Sequence, residues 1–321
     1  MKKTILISLI LSILMLVLPL LSLKNEEKPK EFVDTKADYS AEKTEAETFK
    51  VFIKETEKIE EVSAEDYIFS VVSAEIPASY EPEAIKAQAV AAYSFAVRRK
   101  AYNNSQKKEY DISSDPKTDQ CYISRDAARG KWGDKADEYE TKIRNAIKEV
   151  SGIAALYKGE VALTLYHAVS SGKTEASSEI FGGNAEYLVS KDSVWDKLSP
   201  EYLSTVKKSV SELKNLFSVE DYNGKTANFI KLSEKTKNGT VKKATVGGKE
   251  FGGEKIREIL SLRSRNFSVN VSGDDITFTV YGYGHGVGMS QNGANYLAKQ
   301  GYDYEKILKH YYNGITLKKI I

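Results

Sequence analysis

The 321-residue chain predicts an α+β fold. Strand-like and helix-like stretches follow one another without an opening βαβ unit, which argues against a doubly wound parallel sheet. Residues 81–97 are rich in Ala behind Pro82 and read as one close-packed, central helix. The carboxyl-terminal part adds an alternating strand, Ile276-Thr277-Phe278-Thr279-Val280-Tyr281, and helices from Gln291 to Lys299 and from Tyr304 to Tyr312.

Taken in order, the chain opens with Met1-Lys2-Lys3 and then 20 residues, 4–23, without a charge. That run is long enough to cross a bilayer core as a helix, and the leading lysines favour an inside amino terminus. A cleaved signal peptide competes with this reading. The run exceeds a usual h-region, however, and Leu20-Leu21-Ser22-Leu23 offers no small-x-small cleavage site. The expectation is a single-pass anchor over residues 1–23 in the cell membrane. Residues 24–48 are charged and aperiodic, as a solvated stalk would be. Residues 49–321 form the outer domain, with a smaller, more polar lobe inserted at about 195–265.

Within that domain Phe49-Lys50-Val51-Phe52-Ile53-Lys54 reads as a strand. Ser63 followed by Asp66 is a helix-start signature, and Ile68, Val71, Val72 and Glu75 then fall on one helical stripe before Pro77. That stripe is the face a helix buries. A carboxylate on it loses water, and desolvation raises its pKa toward the range a general acid needs. The competing reading is a helix-end Glu that bends back to solvent. Residues 110–126 have loop composition, and 136–151 are helical. Segments 154–157 and 161–166 read as a hairpin turning at Lys158-Gly159. In the inserted lobe the pattern gives a helix around Leu203 to Leu216 and a turn at Asn238-Gly239.

Charge excludes one class of partner. There are 47 Lys+Arg against 45 Asp+Glu, a net +2 with the signs interspersed, so nothing points to nucleic acid. Cys121 stands alone, so no internal disulfide framework exists. Ser171-Gly172-Lys173-Thr174 looks like the end of a phosphate loop, but His167 occupies the place of its first Gly. Gly282, Gly284, Gly286 and Gly288 alternate in a strand-to-helix loop and complete no dinucleotide fingerprint. That loop instead brings His285, Ser290 and Gln291 toward a ligand. His310 lies among tyrosines on a helix and reads as structural. No G-x-S-x-G elbow is present, which disfavours a serine hydrolase. Cys121 with a His remains open as a thiol nucleophile. Glycoside cleavage normally uses two carboxylates. One Glu suffices where the substrate supplies its own nucleophile, as the 6-hydroxyl of N-acetylmuramic acid can.

Four blocks in order resemble one family. They are Ser73-Ala74-Glu75-Ile76-Pro77-Ala78 with Glu83-Ala84-Ile85-Lys86-Ala87-Gln88-Ala89-Val90-Ala91-Ala92; Tyr166-His167-Ala168-Val169-Ser170-Ser171-Gly172-Lys173-Thr174-Glu175; residues 253–264; and Gly284-His285-Gly286-Val287-Gly288-Met289-Ser290-Gln291-Asn292-Gly293-Ala294. Together these resemble the stage II sporulation protein D family, from about Phe49 to the carboxyl terminus. The resemblance implies a lytic transglycosylase of the sporangium, with a glycan groove between its two lobes. Its substrate would be peptidoglycan strands whose stem peptides a partner amidase has removed, and its products would end in 1,6-anhydro-N-acetylmuramic acid.

In that family the Glu of the first block is catalytic, which lands on Glu75. Lys86, Gln88, Gln120, Tyr122, His167, Ser171, Thr174, His285, Ser290 and Gln291 become candidate substrate-binding residues. The implied setting is engulfment, with the domain in the space between mother cell and forespore beside the amidase and other membrane partners. A non-catalytic module that stimulates an amidase is the further alternative.

Two departures stand out. Tyr93 replaces the usual Arg after Ala-Ala. Clostridial relatives bind zinc through a C-x5-C pair whose positions here hold Ser113 and Asp119, with Cys121 out of register. A hydroxyl and one carboxylate are poor zinc ligands, so no metal and no cofactor are expected. Ser113 and Asp119 are expected to bond to nearby backbone groups instead.

Overall fold

A computed structural model of the protein describes residues 47–183 and 185–321. The expected anchor and the stalk up to residue 46 lie outside these bounds. Among the described residues no helix is long and apolar enough to cross a membrane.

The architecture is mixed α and β, with several small sheets and no closed barrel. Strands β1 (Thr48–Ile53), β2 (Lys58–Ser63) and β3 (Ile112–Ser113) form a sheet in the order β2-β1-β3. Helix α1 (Ala64–Glu75) follows β2 at once, because the Ser63 hydroxyl accepts the Asp66 amide at 3.1 Å. Its stripe of Ile68, Val71 and Val72 is buried, and Ile76 ends it with extended backbone ahead of Pro77.

Helix α2 (Pro82–Ser105) has Pro at its first turn and buries Ala84, Ala87, Ala89, Ala91, Ala92 and Ala96. Such small side chains let neighbours approach closely. Helix α3 (Arg125–Trp132) rests on α4 (Ala136–Glu149). Packed against α2 are α1, α4, strand β4 (Ile153–Tyr157), and helices α8 (Gln291–Lys299) and α9 (Tyr304–Tyr311). This is the centre of the first core, and enlarging any of those alanines would overpack it at a cost of about 1–3 kcal/mol.

Strand β4 lies between β5 (Glu160–Val161) and β14 (Thr316–Lys319). The turn at Lys158-Gly159 forms as predicted, but the second arm ends at Val161 rather than Tyr166. Beyond Ala162, whose N–H still donates to the Ala155 carbonyl at 2.8 Å, the chain bonds elsewhere: Leu163 N–H donates to the Tyr187 hydroxyl at 2.8 Å and the Thr164 hydroxyl to the Ala91 carbonyl at 2.6 Å. Tyr166–His167 then form β6, parallel to β13 (Met289–Ser290). This short pairing sets the second and last signature blocks side by side. A single helical turn, α5 (Ser177–Ile180), follows β6.

A second buried cluster runs from Leu213 to Val280. It is built on one sheet of β8 (Ile230–Lys235), β9 (Val241–Val246) and β10 (Lys249–Gly252), and on another of β7 (Leu203–Ser209), β11 (Phe267–Ser272) and β12 (Asp275–Tyr281) in the order β11-β12-β7. Helices α6 (Val210–Phe217) and α7 (Gly253–Leu260) add Leu213, Phe217, Ile256 and Leu260 to it. The helix expected over Leu203 to Leu216 is therefore a strand up to Ser209. There a capping box with Glu212 starts the helix, and Thr205 and Val206 before it fit a pleated edge. The expected turn at Asn238-Gly239 joins β8 to β9.

Candidate active site

Glu75 is the last residue of α1 and is half-buried. Its Oε1 accepts the Cys121 backbone N–H at 2.9 Å, and side chains of Gln291, Cys121 and Tyr166 also bond to it. Each comes from a different part of the fold. Gln291 opens α8 and donates through Nε2 to Gln88 Oε1 of α2 at 3.4 Å. Tyr166, on β6, donates to Gln120 Oε1 at 2.7 Å. Gln120 Nε2 in turn donates to the Tyr67 hydroxyl of α1 at 3.0 Å and to the Ala92 carbonyl of α2 at 3.3 Å. Tyr122 stacks on Tyr67 with ring centroids 5.8 Å apart.

Electrostatics follow from that dry setting. Burial raises the pKa of Glu75, and the hydrogen bonds from Cys121, Gln291 and Tyr166 oppose this only in part. Burial also lifts the Tyr67 and Tyr166 phenols well above their usual range, so both stay neutral. The Cys121 thiol is pushed up to about 12, by burial first and then by Glu75 beside it. A thiol nucleophile works as the thiolate. This one bonds to Glu75 and is held protonated, so the geometry does not fit the Cys–His alternative.

A second group gathers around the glycine loop. Gly282, Gly284, Gly286 and Gly288 all have positive φ. At Gly288 (φ +75°) an added Cβ would lie 1.9 Å from the Leu165 carbonyl oxygen, so only Gly fits there. Val169 and Tyr283 exchange backbone bonds at 3.1 and 2.7 Å, and the Glu175 N–H donates to the Gly286 carbonyl at 2.7 Å. His285 Nδ1 accepts the Val287 N–H at 3.1 Å, which leaves its other nitrogen to donate to the Tyr166 carbonyl. His167 is buried, 5.8 Å from His285 between ring centroids, with Nδ1 at 3.1 Å from the Val287 carbonyl. Burial lowers the pKa of His167 to about 4 and that of His285 well below its ordinary value, so both are neutral at pH 7. Ser171 lines a polar cleft with His285, Lys173, Glu175 and Arg265.

The remaining sequence-derived residues have their hydrogen bonds directed elsewhere. Lys86 pairs with Glu83 at 2.7 Å and with Glu149. The Thr174 hydroxyl accepts the Lys191 N–H at 2.9 Å, and the Ser290 hydroxyl caps α8 by accepting the Gly293 N–H at 3.1 Å. His310 bonds to the Asp192 carbonyl at 2.9 Å and packs on Trp195, as a structural His would. Tyr93 donates to Glu47 at 2.5 Å and lines a pocket with Ile68 and Ile321.

Sequence reasoning passed over several side chains. Tyr67 and Tyr166 complete the polar ring around Glu75. Glu175 is buried, accepting from Thr236 at 2.8 Å and Thr240 at 2.5 Å, which ties the second core to the glycine loop. Buried Asp196 accepts from Ser170 N–H, Ser193 and Asn292. Tyr166 and Glu175 bound the second signature block, and that adjacency was the available signal. Tyr67 and Asp196 had none.

The residues at the clostridial zinc positions do not fit the ion. The Ser113 hydroxyl accepts the Asp115 N–H at 3.1 Å, while Asp119 accepts the Ser113 N–H at 2.8 Å and pairs with Arg99. These are the expected backbone bonds, and they commit both donor groups. Among the described residues no group of three or more His, Cys, Asp or Glu is placed to hold a metal.

Fold and side chains together define a mixed α/β protein with one carboxylate at the centre of a ring of amides and phenols. The SpoIID family of stage II sporulation proteins matches residues 53–157. Stage II sporulation protein D of Bacillus amyloliquefaciens is 35% identical over 84% of this chain and 78% of its own length. That of Bacillus subtilis (strain 168) is 34% identical over 91% of this chain and 86% of its own. An amidase enhancer of Bacillus subtilis (strain 168) is 26% identical over 77% of this chain and 39% of its own. The chain belongs to the stage II sporulation protein D family.

Proposed function

We propose that the protein is a sporulation lytic transglycosylase that cleaves peptide-free peptidoglycan strands between N-acetylmuramic acid and N-acetylglucosamine. The observation that carries this reading is Glu75: a lone carboxyl whose pKa is raised by burial and whose bonding partners include no second carboxylate. Protonated Glu75 gives its proton to the glycosidic oxygen as the C1–O bond breaks. The carboxylate left behind takes the proton of the sugar's own 6-hydroxyl as O6 bonds to C1. A 1,6-anhydro end results, and Glu75 is protonated again. Gln88, Gln120, Tyr122, His167, Ser171, His285 and Gln291 line the proposed groove, with Lys86, Thr174 and Ser290 supporting its walls. The domain works outside the cell membrane on the residues 4–23 anchor, in the space between mother cell and forespore, beside an amidase that strips the strands.

Mass spectrometry of products from peptide-free strands tests the chemistry. Anhydro ends, each one water lighter than a hydrolytic end, are expected. Hydrolytic ends alone would overturn the assignment. A second reading, a module that stimulates an amidase, draws on the name of the amidase-enhancer relative. It is favoured if no fragments form while an added amidase is accelerated.

A further inference from the structure

Three consecutive residues of the 111–122 loop tie it to the surrounding elements. The Asp119 side chain is 2% exposed, accepts the Ser113 N–H at 2.8 Å and pairs with Arg99 of α2. Gln120 bonds to Tyr67 of α1, Ala92 of α2 and Tyr166 of β6. Cys121 then presents its N–H to Glu75 at 2.9 Å. A buried carboxylate is costly unless paired and hydrogen-bonded, so Asp119 is a demanding way to hold an ordinary surface turn. Because the peptide unit is planar, the Cys121 N–H moves with the Gln120 carbonyl, so a shift of the loop at 119–120 carries that N–H with it.

We infer that Asp119, clamped by Arg99 and the Ser113 N–H, is a positioning residue that holds the Cys121 N–H on Glu75. The inference rests on the reading of Glu75 as the acid. A loop that drifts withdraws one donor from the carboxylate and widens its range of positions. Misplacing a reacting group in this way lowers turnover more than substrate affinity.

The groups that face Glu75 are Tyr67 on α1, Cys121 in the loop and Tyr166 on β6, with Lys131 of α3 near Cys121. Gln88 and Gln291 are uncharged. The phenols and the thiol titrate far above neutrality, so the alkaline limb of kcat/KM reports Glu75.

The test is the double variant Arg99→Gln, Asp119→Asn, which removes both charges together so that their through-space effects offset. The expected results are faster hydrogen exchange at the Cys121 amide, a roughly tenfold fall in kcat with KM nearly unchanged, and an alkaline limb moved to higher pH by loss of the N–H donor. Arg99→Lys alone, which keeps the ion pair, should restore most of the activity and the exchange protection. A folded double variant with wild-type exchange at Cys121 and an unmoved limb would overturn the inference. Should the double variant not fold, Arg99→Gln alone is scored by the same exchange and KM-against-kcat readouts. Failure of the transglycosylase reading shows separately, as full activity in Glu75→Gln, while the Cys121 exchange result still decides whether Asp119 positions the loop.

Discussion

Glu75 at the end of α1 and the His167–His285 pair beside the glycine loop are both desolvated, yet the same loss of water acts on them in opposite directions. Burial disfavours whichever form is charged. It therefore raises the pKa of the Glu75 carboxyl and lowers that of each imidazole. One region favours the uncharged carboxyl more than water does. The other holds neutral rings, each tied through Nδ1 to the Val287 backbone. Of the three histidines, the sequence marked His167 and His285 as binding candidates and His310 as structural, and burial leaves the first two uncharged at pH 7.

The most severe way to break this contrast is Glu75→Gln, which keeps shape and removes the proton. Release of glycan fragments should fall by about 10²-fold or more, the range for a lost general acid. Wild-type rates would refute the role. Next in size is Gly288→Ala, which forces a side chain into positive φ against the Leu165 carbonyl. A loss of about 1–3 kcal/mol or more is expected in chemical melts, with the β6–β13 pairing as the first casualty.

The pH dependence of stability sharpens the comparison, because the two regions contribute with opposite sign. The folded pKa of Glu75 lies above its ordinary 4.5. Its stabilising contribution is complete below that value and is lost as pH rises through the folded value. His167 falls from 6.5 to about 4 on folding. Its contribution is present above pH 6.5 and is lost as pH falls toward 4. Urea melts should therefore show Glu75→Gln gaining on wild type as pH rises above about 4.5, and His167→Gln losing less than wild type on acidification from 6.5. Parallel curves for all three proteins would contradict the opposed desolvation. Smaller still, Cys121→Ala should cost no more than a few-fold in rate, since the backbone N–H supplies the bond at 2.9 Å. Abolished activity there would restore the thiol nucleophile. The smallest effect is none: a strong chelator should leave the melting temperature unchanged, and stoichiometric zinc by elemental analysis would show the Ser113–Asp119 argument to be wrong.

What the sequence determined by itself is local. Ser63 with Asp66, Pro82 at the start of an Ala-rich run, Asn238-Gly239 and the alternating glycines act through bonds and sterics a few residues long, and each sits where it was expected. The stripe ending at Glu75 was legible for the same reason, since a helix of period 3.6 forces residues 68, 71, 72 and 75 onto one face. Tertiary structure decided the rest. Leu203 to Ser209 became a strand because β12 offered it a partner, which no local propensity encodes. Only the fold could bring Gln120, Tyr67, Tyr166 and Gln291 around one carboxylate, or bury Glu175 between Thr236 and Thr240, because those contacts join residues far apart in the chain. The charge state of the site was decided there too: a pKa depends on how much water the packed neighbours exclude, and that is fixed only when the chain has closed around it.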